Sequence, residues 1–239
     1  MTPAFVAFAG QSNMVGYAMS LATLTATGWH ADPQTFVWNN RASRFEVMQP
    51  TVNTNAYSWG PEVAFAMRFR AAHPDRPLYI VKTSAGDTSL AQDLNPYLDW
   101  SPKSRGEMFD RAQGRIDAAS KVLGKRPDAV FISQGEADAH DRAAAQAYRA
   151  NFRAYLDAVR DRWMRDAQGY VAWSHVAVGG RYAQDVGRAQ AEVDRETANT
   201  DSFDTADRTR FPRQPDQLHL DAKGLIAVGE TFFTLYETA

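Results

Sequence analysis

The stretch "AFVAFAGQSN", residues 4–13, is the part of the chain from which the fold can first be predicted. Ala4–Ala9 is an unbroken apolar run, which is the pattern of a strand buried on both faces of a sheet. Gly10-Gln11-Ser12-Asn13 then interrupts the run with small and polar residues that cannot continue a packed strand. A serine here either caps a turn or stands exposed as a nucleophile.

Further apolar runs alternate with helical patterns along the rest of the chain. Strands are predicted over Leu78–Lys82, Ala129–Ser133 and Tyr170–Val178. Apolar spacing and end signals predict five helices, over Pro61–Ala72, Glu107–Leu123, Arg142–Asp166, Gln184–Asn199 and Asp221–Tyr236. This alternation predicts an α/β fold whose parallel sheet is covered by helices on both faces. With 239 residues and no linker-like stretch, residues 1–239 are predicted to form a single domain.

Composition excludes several classes of partner and chemistry. A formal net charge of -2 gives no electrostatic reason to expect nucleic acid as a partner. No segment approaches the roughly 20 apolar residues of a membrane span, and Met1-Thr2-Pro3 shows no secretory signal. The absence of cysteine excludes disulfides and thiol nucleophiles. Because the five histidines lack metal-ligand spacing, neither a metal nor another cofactor is expected.

Small and polar residues follow three of the predicted strands. They form the clusters Gly10–Asn13, Thr83–Thr88 and Gln134–Asp138. In open α/β sheets, ligands bind beyond the carboxyl ends of the strands. We therefore expect these clusters to lie together at the edge that carries the functional site.

A second motif, "PDQLHLDAKG", occupies residues 215–224 near the end of the chain. Asp216 and His219 are three positions apart, so on a turn or a first helical turn their side chains lie on one side. The Asp216 carboxylate can then orient the His219 imidazole and leave Nε2 free to face an alcohol such as that of Ser12. The alternative is a helix N-cap followed by a surface histidine.

An ester hydrolase also needs donors for the oxyanion of its tetrahedral intermediate. The backbone N–H groups of Ser12 and Gly86 and the side-chain amide of Gln134 are the candidates. Gly86 has no side chain to block close approach, although glycine here is equally consistent with a plain turn.

The motifs G-Q-S-N-M, K-T-S-A-G-D-T-S-L, Q-G-E-A-D and D-Q-L-H-L-D-A-K-G, in this order over residues 10–224, resemble those of the SGNH hydrolases. Within that superfamily they resemble the branch of sialate O-acetylesterase-like and plant-type carbohydrate acetylesterases. The resemblance implies a flavodoxin-like three-layer α/β/α sandwich with a mainly parallel central sheet, and ester hydrolysis without metal. It implies Ser12 as nucleophile, His219 as general base and then acid, and Asp216 as the residue that orients it. Gln134 stands where most SGNH enzymes have asparagine.

Other residues of the motifs and loops are expected to support the site or bind substrate. Gln11, Asn13 and Glu136 are assigned supporting roles, and Glu136 either braces the site loops or assists His219. Amide, aromatic and arginine side chains suited to sugar rings are the substrate-binding candidates: Asn39, Tyr57, Trp59, Trp100 and Arg181. The alternative for the aromatic residues is that they anchor loops in the core.

The leading interpretation is a serine esterase that removes O-acyl groups, and O-acetyl groups in the first place, from a small-molecule or oligosaccharide carbohydrate substrate through a covalent acyl-enzyme. Two alternatives stay open. One is a lipase- or thioesterase-like hydrolase of other short acyl esters on the same fold. The other is a carbohydrate-binding module that has lost catalysis.

Overall fold

A seven-stranded sheet forms the centre of the molecule, in the order β3-β2-β4-β1-β5-β6-β7. The computed structural model describes residues 2–53, 58–94 and 98–239. The strands are β1 Ala4–Gly10, β2 Thr35–Asn39, β3 Arg44–Val47, β4 Leu78–Ser84, β5 Ala129–Ser133, β6 Tyr170–Ser174 and β7 Thr200–Phe203. β2 and β3 pair antiparallel, and the other neighbours pair parallel. The predicted α/β fold with a mainly parallel sheet is confirmed.

Helices cover both faces of this sheet. They are α1 Ser12–Val15, α2 Leu21–Thr25, α3 Glu62–Ala72, α4 Met108–Leu123, α5 Arg142–Ala158, α6 Ala183–Glu196 and α7 Ala222–Thr238. One apolar core joins the sheet to α4, α5 and α6, and a second joins the opposite face to α3 and α7. The three-layer arrangement is therefore confirmed. No helix in the described ranges is long and apolar enough to cross a bilayer.

The central strand β1 shows why its sequence is apolar throughout. Phe5 and Ala7 contribute to the core beneath α4, α5 and α6, whereas Val6 and Phe8 contribute to the core beneath α3 and α7. Successive strand side chains point to opposite faces, and here both faces are covered. β1 pairs with β4 on one side and with β5 on the other, so its end lies in the middle of the sheet edge.

Three strands were not predicted from the sequence. β2 and β3 form one side of the sheet, and β7 forms the opposite edge. β3 and β7 have only half-buried or exposed residues, and "TDSF" of β7 mixes polar with apolar side chains. The prediction for β6 was too long, because the strand ends at Ser174 and the Val176 N–H donates to the Gln190 side chain instead.

The five predicted helices are confirmed, with small shifts at their ends. The largest difference concerns the predicted helix Arg142–Asp166. Its α-helical part ends at Ala158 and continues as a wider π-helical turn over Val159–Met164. Arg165, with φ of 54°, ends that turn.

Gly10 allows the chain to leave β1 abruptly at the sheet edge. Its φ is 155°, and a Cβ built at this position would lie 2.0 Å from the Ser133 carbonyl oxygen. The Gln11 N–H donates to that same carbonyl, and α1 begins at the next residue, Ser12. A residue with a side chain cannot make this close approach to β5.

A buried ion pair lies beneath the short helix α1. Glu62 Oε2 at the start of α3 and Lys82 Nζ in β4 are 2.7 Å apart, with both side chains fully buried. Lys82 Nζ also donates to the Val15 carbonyl at 3.3 Å, and the Gly60 N–H donates to Glu62 Oε1 at 3.1 Å. The pair thus links α3 and β4 to the last residue of α1.

Candidate active site

Ser12, His219 and Asp216 form one hydrogen-bonded series at the carboxyl edge of the sheet. The half-buried Ser12 stands at the first position of α1, directly after β1. Its Oγ is 3.0 Å from His219 Nε2. On the other side of the imidazole, Nδ1 is 2.7 Å from Asp216 Oδ2. The structure therefore brings together the three residues proposed from the two distant motifs.

Asp216 holds His219 through a turn rather than through a helix. Its Oδ1 accepts the backbone N–H groups of Leu218 and His219, each at 3.0 Å. The N-cap of the following helix α7 is Asp221, so Asp216 does not have the capping role considered as an alternative. The hydrogen bond from His219, with these two backbone N–H groups, lowers the pKa of the Asp216 carboxyl.

Asn13 connects Ser12 to the loops that complete the site. Its Oδ1 accepts the Leu220 N–H at 2.9 Å, next to His219. Its Nδ2 donates to Glu136 Oε1 at 2.8 Å, in the loop after β5. The buried Asn13 side chain thereby joins three segments that are far apart in the sequence.

Gln11 makes the corresponding link from the other side of Ser12. Its Oε1 accepts the Gly135 N–H at 2.8 Å and the Ala137 N–H at 3.4 Å. These two residues flank Glu136, which is itself 8 % exposed. The observed contacts correspond to the bracing alternative for Glu136, since its partner is Asn13 and not His219.

Gly86 lies beside the Ser12 side chain. A Cβ built on Gly86 would be 3.7 Å from Ser12 Cβ. Gly86 is exposed and lines the same pocket as Ser12. Within the described parts of the chain, neither its N–H nor that of Ser12 has a protein acceptor. Two backbone donors are thus available next to the serine oxygen.

Gln134 lies beneath the pocket, in a position that differs from the expected direct contact with an oxyanion. Its side chain is 2 % exposed. Its Nε2 donates to Asp138 Oδ2 at 3.0 Å and is 3.4 Å from the Thr88 carbonyl. Its Oε1 accepts from the Tyr148 hydroxyl at 2.8 Å. The amide hydrogens are therefore engaged within the protein.

Asp138 is a buried acid that sequence reasoning did not single out. Burial raises the pKa of its carboxyl, while hydrogen bonds from the Leu90 and Ala91 N–H groups, each at 2.8 Å, and from Gln134 oppose that rise. These bonds tie the loop after β4 to the turn after β5. Its position in the Q-G-E-A-D motif is the sequence feature that could have pointed to Asp138, but the motif does not show which way its side chain points.

A cavity of about 310 Å³ opens over the serine. The Tyr17 ring stacks on the His219 imidazole, with centroids 4.1 Å apart and an interplanar angle of 26°. Tyr17 and His140 were not among the predicted site residues, and Asp87 was included only as a member of the cluster Thr83–Thr88. The lining residues are Gln11, Ser12, Tyr17, Gly86, Asp87, Glu136, Ala137, His140, Leu218 and His219.

The prediction that Trp59 and Trp100 bind substrate is wrong. Both indoles are fully buried. Trp59 Nε1 donates to the Ser20 carbonyl at 3.1 Å, and Trp100 Nε1 donates to Thr88 Oγ1 at 2.9 Å. They anchor loops in the core, which was the alternative interpretation.

The remaining substrate-binding candidates lie outside the pocket or outside the described residues. Asn39 ends β2, where its Nδ2 donates to Glu46 and its Oδ1 accepts backbone N–H groups of the β2–β3 turn. Its role there is structural. Arg181 is exposed, lies 5.8 Å from the Tyr182 ring centroid and is not among the pocket-lining residues. Tyr57 lies outside the described residues.

In the described ranges, no three His, Asp or Glu side chains are grouped so as to hold a metal ion. Ser12 Oγ contacts the His219 imidazole, which Asp216 holds from the other side, and Gly86 lies beside the serine side chain. An imidazole can transfer protons, and backbone N–H groups can stabilise charge by hydrogen bonding. The arrangement is suited to nucleophilic attack by Ser12 on an acyl carbon.

Residues 4–238 match a family described as carbohydrate esterase, sialic acid-specific acetylesterase. No protein in the curated collection matches the sequence.

Several solved structures share the fold. A protein from Arabidopsis thaliana superposes with a TM-score of 0.81 at 19% identity, covering 99% of this chain and 98% of its own. A carbohydrate acetylesterase from Xanthomonas citri superposes with a TM-score of 0.65 at 18% identity, and the match covers 97% of this chain and 55% of that protein. An acetyl xylan esterase from Geobacillus stearothermophilus superposes with a TM-score of 0.56 at 12% identity, and the match covers 99% of this chain and 97% of that protein.

Proposed function

This chain belongs to the sialic acid-specific acetylesterase family of carbohydrate esterases, and we propose that it removes O-acetyl groups from carbohydrate by serine catalysis. The observation that carries the proposal is the series Asp216–His219–Ser12, with contacts of 2.7 and 3.0 Å. Such a series can activate an alcohol as a nucleophile.

In the first half of the reaction, His219 Nε2 accepts the Ser12 hydroxyl proton as Oγ attacks the ester carbonyl. The C–O bond to the sugar then breaks, and the sugar oxygen takes that proton from His219. Asp216 keeps the imidazole in the tautomer that presents a bare Nε2 and stabilises the transient imidazolium. An acetyl-serine remains on the enzyme.

In the second half, water replaces the sugar alcohol. His219 accepts a proton from the water, whose oxygen attacks the acetyl carbonyl. The bond to Ser12 Oγ breaks, the serine recovers its proton from His219, and acetate leaves. One histidine thus acts as base and acid in each half.

The backbone N–H groups of Ser12 and Gly86 are the oxyanion donors in this proposal. Both lack protein acceptors in the described chain, and Gly86 lies against Ser12. Loss of one such donor typically costs about 10²–10³ in rate. Gln134 has a different role in the proposal, because its amide fixes the turn after β5 through Asp138.

The test is hydrolysis of p-nitrophenyl acetate and p-nitrophenyl octanoate by the parent and by Ser12→Ala, with a chelator present. We expect chelator-resistant acetate release by the parent and its loss in Ser12→Ala, since Ser12 Oγ is the attacking atom. We expect acetate to be hydrolysed faster than octanoate, because the family that the chain belongs to is one of acetylesterases. Asn39→Ala, which changes a side chain outside the pocket, is the control. Equal turnover by Ser12→Ala and the parent would refute the nucleophile.

A further inference from the structure

Tyr17 is an exposed aromatic side chain at the mouth of the candidate active site. It is 53% exposed, and it lines the pocket together with Ser12 and His219. The two tryptophans first considered as sugar contacts are fully buried. Within the described lining, Tyr17 therefore supplies the large aromatic surface next to the reacting serine.

Three contacts hold Tyr17 in place before any ligand binds. One ring face stacks on the His219 imidazole at 4.1 Å between centroids. The Tyr17 N–H donates to the Ser12 carbonyl at 3.1 Å, and the Tyr17 carbonyl accepts Gln214 Nε2 at 2.8 Å. The ring is thus ordered in advance, which reduces the entropy lost when a ligand packs against it.

The surface that remains accessible fits one face of a sugar. Although Tyr17 stacks on His219, 53% of the residue stays accessible to a ligand. Exposed Asp87 and His140 line the same pocket and carry groups that can hydrogen-bond hydroxyls. A pyranose has apolar C–H faces and a rim of hydroxyls, so the aromatic and polar residues of this pocket suit both.

We propose that Tyr17 is the aromatic platform on which the pyranose ring of the ester substrate lies during deacetylation. The inference rests on the proposed function, and it names the residue that distinguishes a sugar ester from a simple ester. Packing of the sugar ring on Tyr17 binds the part of the substrate that does not react. A small acyl ester without a ring does not use this contact.

The experiment compares Tyr17→Leu and Tyr17→Phe with the parent on two acetyl esters. One is a peracetylated methyl glucoside, and the other is vinyl acetate, which has no ring. We expect Tyr17→Leu to lower kcat/KM for the glucoside about tenfold more than it lowers kcat/KM for vinyl acetate. Tyr17→Phe keeps the ring and should retain the parent value on both. Leu21→Ala, an exposed apolar residue on α2 outside the pocket, is the matched control.

Two kinetic outcomes would overturn the platform. If Tyr17→Leu lowers turnover of both esters in parallel, Tyr17 acts through His219 and does not contact the sugar. If turnover of the glucoside is unchanged, the ring has no part in recognition. A selective loss with the glucoside that is restored by Tyr17→Phe supports the proposal.

Saturation-transfer NMR with methyl glucoside as the probe separates this inference from the proposed function. If the parent hydrolyses neither ester, the proposed function is wrong. In that case, transfer to the sugar C–H protons that is present with Tyr17→Phe and lost with Tyr17→Leu still supports the platform. Equal transfer with both variants, or none with the parent, refutes it.

Discussion

At the scale of single residues, Asp216 combines an exposed carboxylate with a fixed orientation. Its side chain is 42% exposed, yet it accepts two backbone N–H groups and the imidazole of His219. The hydrogen bond from His219 lowers the pKa of this carboxyl. Asp216 therefore stays ionised to a lower pH than an ordinary aspartate does, which preserves its contact with His219.

Asp216→Asn tests whether orientation by this carboxylate matters to the proposed reaction. An amide presented to Nδ1 favours the wrong imidazole tautomer, so we expect kcat for p-nitrophenyl acetate to fall by about 10⁴. Unfolding by denaturant should change little, because exposed ion pairs contribute little to stability. A variant with the parent kcat would show that Asp216 does not orient His219.

At the scale of secondary-structure elements, the edge of the sheet is held together by buried polar contacts. Glu62 in α3, Lys82 in β4 and the Val15 carbonyl in α1 form one such group. Burial lowers the pKa of Lys82, and the nearby Glu62 carboxylate acts in the opposite direction. The charge on Lys82 thus depends on its partner, and the position of α1 depends on both.

Glu62→Gln tests this dependence. Leaving one buried charge without its counterion costs about 3–5 kcal/mol, which we expect as a loss in the free energy of unfolding by denaturant at pH 7. This loss of stability should shrink at higher pH. An unpaired Lys82 gives up its proton on folding, and the free energy of that deprotonation falls as the pH rises towards the pKa of lysine in the unfolded chain. Glu62→Leu combined with Lys82→Met removes both charges and serves as the control. A loss below about 1 kcal/mol in Glu62→Gln would contradict the role assigned to the pair.

The elements that could be predicted from sequence are those buried on both sides. β1 and β5 are almost wholly apolar and β4 begins with an apolar run, because helices cover both faces of these strands. β3 and β7 have half-buried or exposed residues, so their sequences lack that signal.

In the candidate site, too, features set by neighbouring residues in the sequence could be predicted, whereas features set by distant residues could not. The Asp216–His219 spacing is local and could be read from the chain. The orientation of Gln134 could not, because it is fixed by Asp138 and Tyr148 deep in the core. The position of Tyr17 depends on a ring contact with the opposite end of the sequence, which no local pattern encodes.

At the scale of the whole molecule, His175 links stability to pH. It follows β6, and its Nε2 is 2.7 Å from Ser202 Oγ in β7. Burial lowers the pKa of His175 from the ordinary value of 6.5, against the opposing effect of Asp204 and Asp194. The unfolded chain therefore binds a proton more readily than the folded one as the pH falls below 6.5.

We expect the melting temperature of the parent to fall from pH 7 to pH 5 more steeply than that of His175→Gln. The stability that neutral His175 provides is present above the unfolded pKa and is lost as the pH falls toward the folded pKa. The amide of glutamine does not titrate, so the difference between the two melting curves isolates this histidine. Parallel pH dependence in the two proteins would show that His175 does not contribute.

The hydrogen bond between Ser12 and His219 closes a span of 207 residues. Ser12 and His219 lie near opposite ends of the chain, so the proposed reaction requires the tertiary structure that brings both ends together. Two fragments divided at an exposed loop would each lack turnover and would regain it only by recombining. Turnover by a mixture of two such fragments would therefore measure how many of them had reassembled without a covalent link.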